Sequence, residues 1–409
     1  MSVSVQPSTE LAGKRILLGV TGGIAAYKCA ELVRLLKKAG ADVVVGMTDA
    51  ATRFVTPLTF QALSGHPVAV DAWNPDQGNG MHHIDLTRTT DLMVVAPASA
   101  DFLAKMAQGR ADDLLSTLVL ARDCPLAVAP AMNRQMWSNP ATQRNVTQLR
   151  GDGVAIWGPA VGEQACGETG EGRMLESCEL LELIVAALTP KVLAGQRIVM
   201  TVGPTFEPLD PVRGITNRSS GQMGYAMARA FAQAGAEVTL VSGPVNFATP
   251  MGVRRMDVLT AAEMRQAVMA EIANATVFVG VAAVADYRPL EVSEHKLKKT
   301  DSEAAQQSRT LELTTNPDIL AEVASLPAAP YCVGFAAESQ NLDEYAEAKR
   351  LRKRLPLIIG NLVADGLGTT ENRVTLYDDA GSHPLPILHK VDLAKRLVDE
   401  LARRLDAAS

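Results

Sequence analysis

Twice in this chain a β-branched run passes through glycine into a helical pattern and returns as a second β-branched run, and no other feature restricts the fold as much. Residues 15–20 lead into Thr21-Gly22-Gly23, apolar spacing follows from Ile24 to Ala39, Gly40 stops it, and 42–47 is the second run. Residues 197–201 begin the order again with a Gly-containing loop, a helical pattern over about 222–234, and Gly235-Ala236-Glu237-Val238, which matches Gly40-Ala41-Asp42-Val43 in form. Any two β-α-β units look alike at this turn, so the likeness carries architecture and not ancestry. Apolar runs at 91–96, 125–129 and 154–157, and then at 237–241, 276–281, 331–335, 356–360 and 373–377, alternate with helical patterns. The expected class is α/β, with two tandem doubly wound, Rossmann-like domains.

Composition agrees with covered parallel sheets. Apolar residues are 47% of the 409 but aromatics only 4%, so the cores must come from Val, Ile, Leu and Ala. The expected division is a disordered leader over 1–13, a first domain over 14–190, a linker over 191–196, and a second domain over 197–409 that ends in a helix at about 390–405. A net charge of -6 leaves no basic field for a nucleic-acid backbone. The longest apolar stretch, 277–285, is interrupted by Gly280 and far shorter than the ~20 residues of a spanning helix, so no membrane partner is expected. The first ten residues lack the basic and apolar regions of a signal peptide. Five cysteines, with no Cys-x-x-Cys, argue against a disulfide framework or a zinc site and suit a reducing cytoplasm.

In the first half, the strand, glycine turn and helix start offer backbone N–H groups to a phosphate, although close packing explains such a turn equally well. Gly19-x-Thr21-Gly22-Gly23 lacks the dinucleotide spacing, and the next strand ends at Thr48 instead of an acid for a ribose. A mononucleotide such as FMN therefore suits it better than a nicotinamide dinucleotide. Ser99, in Ala96-Pro97-Ala98-Ser99-Ala100-Asp101, and Asn133, in Pro130-Ala131-Met132-Asn133, follow later strands at the same edge. The Asn133 amide either caps a helix or binds a carboxylate without carrying charge. His83, read singly, is a surface or satisfied residue. Cys166 lies in the glycine-rich stretch 162–174, expected to be a mobile flap whose exposed thiol can deliver a proton, whereas Cys29 is expected to be buried.

In the second half, 203–221 is too long and polar for a packing turn and is expected to need a ligand or partner to order it. Ser219-Ser220-Gly221 then opens a helix, and Asp286 follows the strand 276–281 at the ligand-binding edge. The Lys296–Lys299 cluster reaches a triphosphate or is simply solvated, within an expected exposed loop over 288–310.

Taken in order, Gly19-x-x-Gly22-Gly23-Ile24-Ala25-Ala26-Tyr27-Lys28, His83-Ile84, the Ala96–Asp101 segment, Pro130-Ala131-Met132-Asn133-x-x-Met136-Trp137 and Ala165-Cys166-Gly167 resemble the homo-oligomeric flavin-containing cysteine decarboxylases. Among these the first half is most similar to the decarboxylase half of the bacterial bifunctional phosphopantothenoylcysteine decarboxylases and phosphopantothenate–cysteine ligases. The resemblance implies His83 as the base, Asn133 as the binder of the substrate carboxylate and Cys166 as the proton donor, with FMN contacting Gly22, Gly23, Thr48, Ser99 and Ala131. His83 is preferred to His82 because it directly precedes Ile84. FMN is then the electron sink that oxidises the cysteine moiety to a thioaldehyde, so that carbon dioxide can leave.

The second half resembles the ligase partner through Glu207-Pro208-x-Asp210-Pro211-Val212-Arg213, Asn217-x-Ser219-Ser220-Gly221, Ala282-Ala283-Val284-Ala285-Asp286, Lys296-Leu297-Lys298-Lys299, Asn316-Pro317-Asp318-Ile319 and Gly334-Phe335-Ala336-Ala337-Glu338. This implies that CTP activates phosphopantothenate as an acyl-cytidylate and that the amine of cysteine displaces CMP. Asn217 handles the acyl intermediate, and Lys296 binds nucleotide and completes the amide. Gly280, Val281, Ala282, Asp286, Pro317, Asp318, Ile319, Phe335, Lys349 and Lys353 match nucleotide positions, with Mg2+ bridging phosphates and Asp286. Phe206 stands where a basic residue is common in relatives. The implied partners are these small molecules and further copies of the chain, as decarboxylase trimers joined through ligase dimers. On the residues alone, a structural second half and a flavin-binding regulator stay open as other readings.

Overall fold

In the computed structural model, which describes residues 9–71, 86–165, 167–298, 310–366 and 368–408, the first glycine turn leaves the carboxyl end of an inner strand of a parallel sheet. The chain divides into two units between Leu188 and Thr189. The sheet of the first unit consists of β1 (Arg15–Val20), β2 (Asp42–Met47), β3 (Leu92–Ala98), β4 (Leu126–Pro130) and β5 (Ala155–Ile156), in the order β2-β1-β3-β4-β5, all parallel. Successive β1 side chains face opposite ways, as the two-residue period requires. Ile16, Leu18 and Val20 enter one core with Leu32 and Leu36 of α1 (Lys28–Lys38), while Leu17 enters another with Phe102 and Leu103 of α2 (Ala100–Ala107). The short α3 (Arg134–Ser138) follows β4, and α4 (Ser177–Leu188) closes the unit against α1, with Leu180 and Ile184 buried in the first of these cores.

Two expectations for this unit are corrected, and a third gains a definite form. The helix expected from 24 begins as a single tighter turn, Ile24–Tyr27, and becomes α-helical at Lys28. The leader is shorter than 1–13: Leu11 is 1% exposed and its N–H donates to the Ala39 carbonyl, because an apolar side chain there closes the end of the α1 core, and 1–8 lie outside the described residues. The glycine-rich flap is a β-hairpin of β6 (Ala160–Glu163) and β7 (Thr169–Arg173).

The second unit has an eight-stranded sheet. Its strands are β8 (Arg197–Val202), β9 (Glu237–Ser242), β10 (Val253–Asp257), β11 (Val277–Gly280), β12 (Tyr331–Glu338), β13 (Leu357–Leu362), β14 (Thr375–Asp378) and β15 (Gly381–Pro384), in the order β10-β9-β8-β11-β12-β13-β14-β15. The first six are parallel, and β14 and β15 add antiparallel. One face is covered by α5 (Gln222–Gln233) and α9 (Lys390–Ala408), through Met227, Phe231, Leu393, Leu397 and Leu401. The other carries α6 (Ala261–Glu271), α7 (Ile319–Ala324) and α8 (Leu342–Lys353), through Met264, Val268, Leu320 and Ala346. A Cβ on Gly224 would lie 2.1 Å from Val202 Cγ2, so α5 approaches β8 this closely only because residue 224 has no side chain.

β10 was not expected, because Val253-Arg254-Arg255-Met256-Asp257 is a half-exposed edge strand without an apolar run. Of the expected loop 288–310, residues 288 and 289 belong to Tyr287–Pro289, which pairs antiparallel with Leu313–Thr315, while 299–309 lie outside the described residues. Among the described residues no helix is long and apolar enough to cross a membrane.

Residues 191–196, expected as a linker, pack on the second unit. Leu193 is 1% exposed in its core, its N–H donates to the Ala234 carbonyl, and Lys191 Nζ donates to the Gln233 carbonyl. Leu193→Ala is expected to cost the second unit about 2–4 kcal/mol, read by urea unfolding. A silent substitution would return this segment to the status of a free connector.

Candidate active sites

In an open parallel sheet the loops that leave two neighbouring strands toward opposite faces part at the strands' carboxyl ends, and a crevice opens between them. Strand order reverses between β1 and β3 in the first unit. The buried Thr21 fixes this edge: its hydroxyl donates to the Pro97 carbonyl (2.7 Å) and accepts the Ser99 N–H (3.0 Å). A cavity of about 630 Å³ lies here, and Gly22, Gly23, Ser99, Ala131 and Asn133 are all in its wall. Lys28, also in the wall, pairs with Glu176 at 2.7 Å; that carboxyl is held below its ordinary range by Lys28 first, against burial, and then by Arg173. Thr48 does not line the cavity. Its hydroxyl accepts the Ala51 N–H and caps the short helix Asp49–Thr52. Cys29 is buried, donates to the Ala96 carbonyl at 2.9 Å, and has its thiol pushed far up by burial, which leaves it unreactive.

Asn133 does both things open to it. It is the N-cap of α3, its Oδ1 accepting the Gln135 N–H at 2.8 Å, and its Nδ2 donates to Glu168 Oε2 at 2.8 Å and Gln164 Oε1 at 3.3 Å on the hairpin. The hairpin is further fastened to α3 by Trp137 Nε1 donating to Glu171 Oε2 (3.1 Å), and the Met132 N–H donates to the Gly172 carbonyl just before the helix. His83 and Cys166 lie outside the described residues.

The second sheet reverses between β8 and β11, and a cavity of about 450 Å³ lies there. Gly280, Ala282, Asp286, Pro317, Asp318, Ile319, Phe335, Lys349 and Lys353 line it, and Val281 instead packs against the core. Two lysines one helical turn apart on α8 share this wall. Lys349 Nζ donates to the Phe335 carbonyl (2.7 Å), and burial lowers its pKa. Lys353 pairs at 2.7 Å with Asp318, which also caps α7 at the Ala321 N–H; burial pushes that carboxyl up, but Lys353 and the cap hold it below its ordinary range. Sequence reasoning did not select Thr201, at the end of β8, or Asn316, whose Nδ2 donates to the Ala285 carbonyl. A hydroxyl or amide at the carboxyl end of a strand was the available signal.

Side chains of the loop 203–221 bind the loop's own backbone and segments next to it. Buried Asp210 accepts the N–H groups of Val212, Arg213 and Leu297 and the guanidinium of Arg213, which in turn donates to the Leu297 carbonyl. Asn217 Nδ2 donates to the Ala283 carbonyl (2.8 Å), beside the cavity. Lys296 is exposed and does not line the cavity, but its neighbour Leu297 is held as described. Asp286 supplies one carboxylate, and no group of three or more His, Cys, Asp or Glu suited to a metal occurs among the described residues.

A family model described as Flavoprotein matches residues 4–189, and one described as the DNA/pantothenate metabolism flavoprotein C-terminal domain matches 193–405. The coenzyme A biosynthesis bifunctional protein CoaBC of Vibrio cholerae is 51% identical to this chain, covering 95% of it and 98% of that protein. Its namesake in Escherichia coli strain K12 is 49% identical, over 97% of this chain and 98% of that protein. The chain belongs to the family of the coenzyme A biosynthesis bifunctional proteins. In this family member, the boundary between the two matched regions falls where the contacts divide the chain.

Arg213 above all, against burial, holds the Asp210 carboxyl far below its ordinary range, with the three N–H groups adding to this. A depressed folded value stabilises the loop above the unfolded pKa of about 4 and loses that contribution as pH falls through the folded value. Amide exchange at Val212, Arg213 and Leu297 should therefore stay protected below about pH 4, and Asp210→Asn should speed it about tenfold or more at neutral pH. Equal exchange rates in the variant would remove Asp210 as the fastener of the loop.

Proposed function

We propose that the two cavities divide the chemistry of one bifunctional enzyme of coenzyme A biosynthesis, a phosphopantothenate–cysteine ligase in the second unit and a phosphopantothenoylcysteine decarboxylase in the first. The observation that carries this reading is that each sheet reverses its strand order once and has a cavity at that reversal, walled in each case by motif residues.

The first wall fits FMN. Its residues there are small, and a Cβ added to Gly23 would meet no atom within 4 Å, so glycine leaves that space to a ligand. Gly22, Gly23, Ser99 and Ala131 would hold the cofactor from this wall, while the Thr48 hydroxyl, which accepts the Ala51 N–H, keeps its own O–H to donate to a phosphate. FMN, when bound, supplies the electron sink that lets the substrate's carboxylate leave as carbon dioxide. Asn133 donates to that carboxylate through Nδ2 and adds no charge to stabilise it against leaving. His83 takes the substrate proton, and Cys166 returns one to the carbon that lost carbon dioxide; both roles rest on their motif positions.

In the second cavity the positive groups of Lys349 and Lys353 face the triphosphate of CTP. The carboxylate of phosphopantothenate attacks the α-phosphorus and pyrophosphate leaves; the amine of cysteine then attacks the acyl carbon, and CMP and a proton leave. Asn217 holds the acyl group and Lys296 completes the amide. Asp286 would offer one carboxylate to an Mg2+ ion, which when bound would neutralise charge on the nucleotide phosphates. The enzyme works in the cytoplasm as decarboxylase trimers joined by ligase dimers. Exposed Ile24 (62%), Tyr27 (61%) and Met136 (49%) in the first cavity's wall support a neighbouring subunit there.

Two variants separate the halves. With phosphopantothenoylcysteine supplied, Cys166→Ser should keep its flavin and accumulate the enethiol by mass spectrometry, while Lys296→Gln should decarboxylate normally and fail only to join cysteine to phosphopantothenate. Unchanged phosphopantetheine formation by both, from phosphopantothenate, cysteine and CTP, would sink these assignments.

A further inference from the structure

The hairpin places a carboxylate where the proposed reading needs one to arrive. Glu168 Oε2 accepts from Asn133 Nδ2 at 2.8 Å, and Oε1 accepts from Gln135 Nε2 at 3.1 Å, so each oxygen has a donor from a different side chain of the same short segment. Arg134 Nε lies 3.5 Å from Oε2 and adds positive charge. These donors favour the ionised form: the carboxyl is held below its ordinary range, by Asn133 first and Gln135 next.

Glu168 is not needed to orient Asn133. The amide is already turned by its own helix, because Oδ1 accepts the Gln135 N–H at 2.8 Å, which leaves the NH2 edge toward the hairpin. What Glu168 brings is a charge. From these contacts we infer that Glu168 is an internal stand-in for the substrate's carboxylate, occupying the donors of Asn133 and Gln135 until substrate displaces it. Two ionised carboxylates on one donor set repel, so the arrival of one drives the other to leave or to take up a proton. Glu168 has a way out, since its side chain is 37% exposed, while its backbone carbonyl accepts the Gln164 N–H within the hairpin. Glu168 thereby sets how tightly an acid binds and penalises ligands too weakly charged to replace it. This rests on the assignment of Asn133 to the substrate carboxylate.

The test uses the full-length flavin-loaded enzyme and calorimetric binding of two unreactive probes. Phosphopantothenoylalanine has the carboxylate but no thiol to oxidise, and the N-ethyl amide of phosphopantothenate lacks both. Glu168→Ala should tighten the acid about three- to tenfold and leave the amide unchanged, with Glu168→Gln moving in the same direction by less. Equal changes for both probes, or weaker binding of the acid, would overturn the stand-in and make Glu168 a support of the hairpin. Asn133→Ala tests the underlying assignment separately: it should weaken the acid alone and abolish the gain from Glu168→Ala in the double variant. If Asn133→Ala leaves the acid's affinity as it was, the assignment itself fails, whatever Glu168 does.

Discussion

Parallel strands cannot leave a face open to water, because their crossovers must be made by helices and both faces end up covered. In each unit the helices go to both faces, and at one place per sheet the chain must switch from one side to the other. The crevice at that place is a geometric consequence of packing. Backbone from two strands diverges there, and both cavities described here lie at such a place.

What each crevice does is set by a few polar side chains that satisfy one another around it. Thr21 joins the ends of β1 and β3 through one hydroxyl, which donates to Pro97 and accepts from Ser99. Asn133 caps its helix with the oxygen of its amide and keeps the nitrogen for a carboxylate. In the second unit Asp210 gathers five donor contacts from its own loop and from Leu297, and so fastens the chain beside Lys296 at a site that apolar packing does not reach. Buried or half-buried polar groups of this kind are costly unless paired, and pairing fixes the loops in one arrangement.

The strands of both sheets were legible wherever two-sided burial makes a continuous apolar run, as in β1, β8 and β12. β10 was not, since it is a half-exposed edge strand with Arg254 toward solvent and Arg255 over the Tyr225 ring, and period alone could not tell that β14 runs antiparallel. In the long loop 203–221 polar composition reads the same whether the side chains bind a ligand or, like Asp210, bind their own backbone. Thr48 has the residue type of a phosphate ligand and also caps a helix, its hydroxyl accepting the N–H three residues on. Of the nucleotide positions named through resemblance, all but Val281 and Lys296 line the cavity at the second reversal, where Lys349 and Lys353 are spaced one turn apart on α8.

The central claim is that one chain carries two consecutive reactions, each at the strand-order reversal of its own sheet. Its most direct test is to incubate the purified chain with phosphopantothenate, cysteine, Mg2+ and CTP and follow masses over time. The account gives phosphopantothenoylcysteine as a transient and phosphopantetheine, with carbon dioxide, as the end product. Accumulation of phosphopantothenoylcysteine by flavin-loaded enzyme, or no turnover at all, would contradict it.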